Sequence, residues 1–180
     1  LVERGTQNLL NITAEVFVGW AAFDSSTPTI TPGQADPFGG TAAHRVQCTA
    51  GAGTTTLNSY LSPVVPAPGV RHSTSIWIKA VADVTIGTNL GGSVSVTAAD
   101  GWKLVKIEGM TGDGVTSSQL RFEAATAGSA VDCYAMWPQI EIGPLCTSYI
   151  APGASRSAEV ETLPAVCNPA EGTMIMRADV

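Results

Sequence analysis

Two stretches of alternating sequence decide the fold, Ser75-Ile76-Trp77-Ile78-Lys79 and Lys103-Leu104-Val105-Lys106-Ile107-Glu108. In the first stretch, Ile76 and Ile78 share one side of the chain and Trp77 lies on the other. Successive side chains of a β-strand point to opposite faces, so this period of two predicts half-buried strands with one wet face. The same alternation recurs at 92–97 and 119–123.

The segment from Val131 to Ile142 differs, because apolar side chains occupy both of its faces. This pattern predicts a central strand buried on both sides, with Pro138 at a bulge or bend and Trp137 in the core. Clusters rich in Gly, Pro and Asp separate it from the other strand segments. About eight strands with such closely spaced turns predict an all-β protein, an antiparallel β-sandwich of the jelly-roll type.

The composition restricts the partners of the chain. It has 180 residues, of which 13% are charged, a formal net charge of −6 and a pI of about 4.7. Such a chain repels a phosphate backbone and an anionic membrane surface, so nucleic acid is not an expected partner. No apolar run reaches the ~18 residues of a membrane span, so no membrane insertion is expected. Neutral ligands such as sugars remain open.

The C-terminal end of the sequence differs from the rest. Ala151-Pro152-Gly153 breaks the chain, and a polar stretch follows it. We therefore predict a jelly-roll domain over 1–153, and over 154–180 a linker followed by an extra strand at 172–177. Because a single strand cannot bury itself, we expect that strand to pair with this domain, with another copy or with a following module.

The four cysteines Cys48, Cys133, Cys146 and Cys167 follow no zinc-binding spacing. They are too sparse for a disulfide scaffold, so buried thiols are the expected state. A bridge between Cys133 and Cys146 is left open, because spacing alone does not decide it.

Several motifs of the chain resemble those of one known family. They are Asn8-Leu9-Leu10 with Trp20 after a short spacer, and the strands at 74–80 and 100–105. These motifs are similar to parts of the carbohydrate-binding-module-like jelly rolls of bacteriophage tail-fibre and tail-spike proteins. The most specific likeness is to a signature of the tail proteins, carried by three consecutive motifs: Met136-Trp137-Pro138-Gln139-Ile140-Glu141-Ile142-Gly143, Thr147-Ser148-Tyr149-Ile150-Ala151-Pro152 and Ser155-Arg156-Ser157-Ala158-Glu159.

This resemblance covers about residues 8–160. It implies a module of a virion appendage, a tail fibre or tail spike, that mediates host attachment by binding a cell-surface glycan. It also implies a homotrimer and contacts with other virion proteins.

The resemblance further implies where a glycan would bind. Sugars stack on exposed aromatic rings, and hydrogen-bonding side chains fix their orientation. Because Trp77 lies opposite Ile76 and Ile78, we expect it on the concave face where related modules hold glycans. Trp20 is left open between the core and a loop platform. The candidate glycan-binding residues are Trp77, Tyr134, Tyr60, Arg121 and Trp20, with Gln139 as a further polar partner.

A structural calcium ion is a second implication, since related modules often hold one near their first and last strands. Asn8, Glu15 and Asp132 are the candidate ligands, because calcium takes about six to eight oxygen ligands. Solvated acids at turns are the alternative, and no dense Asp-x-Asp loop supports the ion. No other cofactor is expected.

The sequence gives little support for catalysis. His44 and His72 lie 28 residues apart and lack a metal-binding spacing. Glycoside hydrolysis needs two facing carboxylates, whereas the alternation turns Glu108 and Glu123 toward solvent. We therefore expect a binding module and no enzyme.

Two other functions remain open at this point. The first is a structural connector of the virion that binds other viral proteins and no glycan. Burial of both Trp77 and Tyr134 would favour it, because a sugar needs an exposed ring. The second is an accessory domain of a bacterial hydrolase, which would need a catalytic domain elsewhere in the parent protein.

Overall fold

The computed structural model describes residues 6–9, 20–22, 28–49, 56–59, 65–150 and 155–156. These residues form twelve β-strands and one 3-10 turn at Ala98–Asp100. The strands are β1 (Thr6–Gln7), β2 (Trp20–Ala22), β3 (Thr29–Gln34), β4 (Ala43–Cys48), β5 (Thr56–Ser59), β6 (Arg71–Ala80), β7 (Val84–Thr88), β8 (Ser93–Val96), β9 (Trp102–Thr111), β10 (Leu120–Ala124), β11 (Val131–Ile142) and β12 (Ser155–Arg156).

Ten of these strands form two five-stranded antiparallel sheets. Sheet I has the order β3-β4-β11-β6-β9, and sheet II has the order β2-β5-β10-β7-β8. The short strands β1 and β12 pair with each other. The predicted antiparallel β-sandwich is therefore confirmed, and the described residues contain no α-helix. No helix in this part of the chain could cross a membrane.

The core lies between the two sheets and is built by the predicted alternation. Ile76 and Ile78 of β6 are fully buried, and so are Leu120 and Phe122 of β10 on the opposing sheet. Burial of each such side chain stabilises the fold by about 1.5–3 kcal/mol. Because these side chains fill one face of each strand, the residues between them are directed to the outer faces of the sandwich.

The central strand of sheet I is β11, as predicted, but the prediction for Trp137 was wrong. Val131, Cys133 and Ala135 face the core, so an unbroken alternation would bury Trp137 with them. Instead the register shifts between 136 and 139, and Trp137 has a φ of 52°. This bulge reverses the parity of the strand and leaves Trp137 only half-buried, outside the core.

The predicted division at residue 153 is not tested by the described residues. Ser155–Arg156, which we expected in the linker, forms β12 and pairs with β1. The remainder of the predicted linker, 157–180 with the extra strand at 172–177, lies outside the described residues. The domain boundary therefore stays a prediction.

Candidate functional site

Four aromatic side chains meet on the outer face of sheet I. Phe38 stacks on Trp137 with ring centroids 5.2 Å apart and meets Trp77 edge to face at 5.3 Å. Tyr149 stacks on Trp137 at 5.1 Å. Offset stacks and edge contacts at such distances are favourable arrangements of aromatic rings. We call Phe38, Trp77, Trp137 and Tyr149 the aromatic cluster.

Trp77 joins this cluster because it alternates with the core-facing residues of β6. Its neighbours Ile76 and Ile78 point into the core, so its indole lies on the outer face and remains partly exposed. In the register it pairs with Met136 of β11 and Leu104 of β9, which lie on the same face.

Phe38 is presented by a tight loop between β3 and β4. The Asp36 carboxylate accepts hydrogen bonds from the backbone N–H groups of Phe38, Gly40 and Ala42, at 2.8–3.0 Å. These bonds, that from Ala42 above all, hold the pKa of Asp36 below its ordinary value. A carboxylate that organises its own loop in this way fixes the position of Phe38, whose side chain is 60% exposed.

Tyr149 belongs to the segment 143–150, which lies across one end of the same face. The main anchor of this segment is the side chain of Glu141, which is only 1% exposed and lies beneath the segment. The Glu141 carboxylate accepts hydrogen bonds from Thr147 N at 2.6 Å, Thr147 Oγ1 at 2.8 Å and Gln139 Nε2 at 2.9 Å. These three bonds satisfy the buried carboxylate without a cation.

Gln139 completes this anchor and does not face a ligand. It is fully buried, and its Oε1 accepts a hydrogen bond from Ile150 N at 2.6 Å. Asn8 donates to Ile150 O at 2.8 Å and to Pro138 O at 3.2 Å, and its own Oδ1 accepts from Ile140 N. The expectation that Gln139 contacts a glycan is therefore wrong, because the segment 143–150 covers it.

A cleft of about 390 Å³ opens between this segment and the strands β6 and β9. Its apolar walls come from aromatic rings and from Leu104, which is 40% exposed. This combination of aromatic rings and a few polar groups is typical of small-ligand sites. The lining residues are Ser75, Trp77, Leu104, Lys106, Trp137, Cys146, Thr147, Ser148 and Tyr149.

Cys146 forms part of the cleft wall and is not linked to Cys133, which is buried in the core. Its Sγ donates a hydrogen bond to Thr74 O at 3.1 Å, and its N–H donates to Glu108 at 2.8 Å. Burial, reinforced by the Glu108 carboxylate, raises the pKa of Cys146 to about 12. The group is therefore a neutral thiol near pH 7 and a weak nucleophile.

Tyr134 lies on the same outer face, and its side chain is partly exposed. Its ring is approached by two cations, the Arg45 guanidinium at 5.8 Å and the Lys79 ammonium at 5.9 Å. Arg45 also forms a two-bond ion pair with Asp132, with N–O distances of 3.0 and 2.8 Å. Tyr134 on β11 and Trp77 on β6 thus share one face of sheet I. Trp77 pairs with Met136, which lies two residues from Tyr134 along β11.

Among the other predicted glycan-binding residues, Arg121 does not join this group. Arg121 lies on β10 of sheet II, alternates with the core residues of that strand and pairs with Glu123 at 3.0 Å. It therefore faces away from Trp77, and its expected place beside Trp77 is wrong. Trp20 belongs to β2, an edge strand of sheet II. Tyr60 lies outside the described residues.

The candidate calcium ligands do not converge in the described part of the chain. Asn8 is engaged with the backbone around Pro138 and Ile140, whereas Asp132 pairs with Arg45. Eight residues of strand separate Asp132 from Ile140, or about 25 Å in an extended chain. Glu15 lies outside the described residues, and no other group of three metal-binding side chains occurs within them. The calcium site stays a prediction.

The sequence reasoning missed Phe38 and Tyr149. Phe38 stands in the breaker cluster Asp36-Pro37-Phe38-Gly39-Gly40, where no periodicity marks it. Tyr149 stands in the Thr147-Ser148-Tyr149-Ile150 motif, which was noticed only as a resemblance. An aromatic residue inside a turn-forming cluster is the signal that could have indicated Phe38, since loops often carry functional side chains.

No protein-family model matches the sequence, and no curated protein matches it. Among solved structures, the chain is similar to the enzymatically active domain of tailspike protein 4 from bacteriophage CBA120. The TM-score is 0.51 and the identity 8%, and the match covers 75% of this chain but 22% of that one.

The chain is also similar to the family 11 carbohydrate-binding module of the cellulosomal cellulase Lic26A-Cel5E from Clostridium thermocellum. The TM-score is 0.50 and the identity 14%, and the match covers 82% of this chain and 99% of the module. At such identities the likeness concerns the fold, which is the jelly-roll β-sandwich of carbohydrate-binding modules.

Proposed function

We propose that this chain is a non-enzymatic module that binds carbohydrate across the aromatic cluster and the cleft. The observation that carries the proposal is Trp77, a partly exposed indole that lines a cleft on the outer face of a sheet. Such a ring offers the stacking surface that the C–H face of a sugar requires. The likeness of the fold to a carbohydrate-binding module supports the same function.

The surroundings of the cluster also support binding. Asp36 fixes the loop that carries Phe38, and Glu141 fixes the segment that carries Tyr149. Because these rings are ordered before a ligand arrives, binding would lose less conformational entropy than with flexible side chains.

We propose further that the parent protein is a tail fibre or tail spike and that the ligand is a glycan on the surface of the host bacterium. The motifs between 136 and 159 support this, and so does the likeness of the fold to a bacteriophage tailspike domain. A shallow site of this kind should bind weakly, with a Kd of about 0.1–1 mM. A homotrimer would then supply avidity, and other virion proteins would be its further partners.

The competing function is a structural connector that binds no glycan. It would be favoured if Trp77 and Tyr134 were both buried. Both side chains are partly exposed, so the carbohydrate-binding function fits this observation better.

The first test is retention of the labelled chain on an array of bacterial surface polysaccharides and plant β-glucans. A second assay measures its binding to intact bacteria before and after periodate oxidation of the cell-surface sugars. We expect retention on at least one glycan and loss of cell binding after oxidation. Absence of retention on every glycan, with cell binding that resists periodate, would favour the connector.

The matched variants are Trp77→Ala and Arg121→Ala. Trp77→Ala should lower affinity for the retained glycan by about tenfold, because a stacked ring contributes roughly 1–1.5 kcal/mol. Arg121→Ala, on the outer face of sheet II, should bind like the wild type. Equal binding by all three proteins would remove the site from the outer face of sheet I.

A further inference from the structure

Lys106 is the one charged side chain among the described residues that line the cleft. It extends from β9 on the same face as Trp77 and is exposed. Within the described part of the chain its ammonium group forms no ion pair. The cleft therefore offers a cation beside its aromatic walls, in a chain whose net charge is −6.

Two carboxylates lie near Lys106, but both are committed to protein donors. Glu108, two residues along β9, accepts a hydrogen bond from Cys146 N at 2.8 Å. Glu141 is 1% exposed and accepts three hydrogen bonds from Thr147 and Gln139. Neither carboxylate lines the cleft, so Lys106 supplies the one charged group in its described lining.

A second lysine extends this pattern along the same face. Lys79 is exposed and lies two residues beyond Trp77 on β6, with its ammonium 5.9 Å from the centre of the Tyr134 ring. It too forms no ion pair in the described part of the chain, whereas Arg45 on the other strand is paired with Asp132. Two lysines without an ion pair thus flank the partly exposed indole of Trp77.

We propose that the ligand is an acidic polysaccharide built with uronic acid residues. This inference rests on the carbohydrate-binding function proposed above and assigns the class of sugar. One sugar ring stacks on Trp77 with its carboxylate at Lys106, and a further carboxylate along the polymer pairs with Lys79. A neutral sugar would use the aromatic rings but would leave both ammonium groups unpaired.

The expected contribution of each lysine follows from its exposure. An exposed ion pair contributes about 0.2–1 kcal/mol, which corresponds to a change in affinity of about 1.4- to 5-fold. The loss of both lysines should therefore weaken binding by up to about 25-fold at low salt, if the two effects add. The difference should shrink strongly in about 0.5 M NaCl, because salt screens exposed charges.

The test uses an array of bacterial capsular polysaccharides and exopolysaccharides. Each uronate-containing polymer is also printed after its carboxylates have been reduced to primary alcohols, so that only the charge differs within a pair. Affinity for the retained polymer is then measured at about 0.02 M and 0.5 M NaCl for the wild type and for Lys106→Met and Lys79→Met.

Lys103→Met is the matched control, because Lys103 stands on the same strand as Lys106 but pairs with Asp100 at 3.7 Å and does not line the cleft. We expect retention of a uronate polymer, weaker retention of its reduced form, and loss of affinity in the first two variants alone. Equal retention of both members of every pair, or retention of neutral glycans only, would overturn the acidic class and leave carbohydrate binding intact. Retention of no glycan would overturn both proposals, and equal losses in all three variants would overturn the assignment to Lys106 and Lys79.

Discussion

Removal of the Glu141 carboxylate tests whether the cleft wall is held as the structure indicates. In Glu141→Ala the part-buried N–H of Thr147 loses its acceptor, which costs about 1–3 kcal/mol. The Thr147 hydroxyl and the Gln139 amide lose the same partner, but both also lie within 3.5 Å of Ser148 O. We therefore expect the free energy of unfolding to fall by about 2–4 kcal/mol in total.

The assay is urea unfolding followed by tryptophan fluorescence, with two reference variants. Glu141→Gln keeps the size of the side chain and one acceptor oxygen, so it should lose about half as much. Glu123→Ala removes a carboxylate whose ion pair with Arg121 is partly exposed, and it should cost less than about 1 kcal/mol. The reasoning is refuted if Glu141→Ala is no less stable than Glu123→Ala.

A second measurement separates a positioning role from a purely structural one. Tyr149 stacks on Trp137 only while the segment 143–150 is held in place. Under conditions where both variants are fully folded, Glu141→Ala should therefore bind the retained glycan several-fold more weakly than Glu123→Ala does. Equal affinities would mean that Glu141 stabilises the fold without positioning the site.

Three further predictions concern other parts of the molecule. Trp137→Ala should cost about 1–2 kcal/mol and not the ~3–5 kcal/mol of a core aromatic, because the ring is partly exposed and lies outside the core between the two sheets; urea unfolding measures this, and a larger loss would restore the core placement. His72 is 1% exposed, neither ring nitrogen has a hydrogen-bond partner in the described part of the chain, and burial lowers its pKa in the folded state. As the pH falls, His72 is protonated in the unfolded chain before it is protonated in the folded protein. The free energy of unfolding should therefore decrease below about pH 6.5, by at most ~1.4 kcal/mol per pH unit. His72→Leu should flatten this pH dependence in unfolding measured between about pH 5 and pH 7.5. Cys146, with its pKa of about 12, should react with iodoacetamide far more slowly at pH ~7.5 than a peptide thiol does, as mass spectrometry would record; labelling at the peptide rate would contradict its burial.

The sequence predicted which side chains of a strand face the core better than it predicted which residues form the site. Trp77 lies on the outer face because Ile76 and Ile78 are apolar and adjacent, which is a local property of the chain. The alternation gives the wrong face for Trp137, because one extra residue in a bulge exchanges the two faces for the remainder of β11. The alternation of apolar and polar residues along the sequence does not reveal such an inserted residue.

Which sheet a strand joins is a different question, and alternation does not answer it. Arg121 and Trp77 each oppose a row of core residues, and from the sequence they could share a face. The pairing places β10 in sheet II and β6 in sheet I, so the two side chains leave the sandwich in opposite directions. Gln139 has the parity of the outer face as well, but the segment 143–150 covers it. Contacts of this kind depend on long-range packing.

The residues that carry the resemblance to the tail proteins form hydrogen bonds mainly with one another. Gln139, Glu141 and Thr147 form a hydrogen-bonded anchor beneath the cleft wall, and Asn8 ties the wall to the start of the chain. Phe38 and Lys106 lie at the site but outside every motif that resembles the tail proteins. A shared motif built from the anchor would preserve the shape of the cleft while leaving its ligand free to change. Under the carbohydrate-binding function proposed above, Phe38 and Lys106 are therefore the residues expected to set specificity, and their replacement should alter which glycan is bound without disturbing the fold.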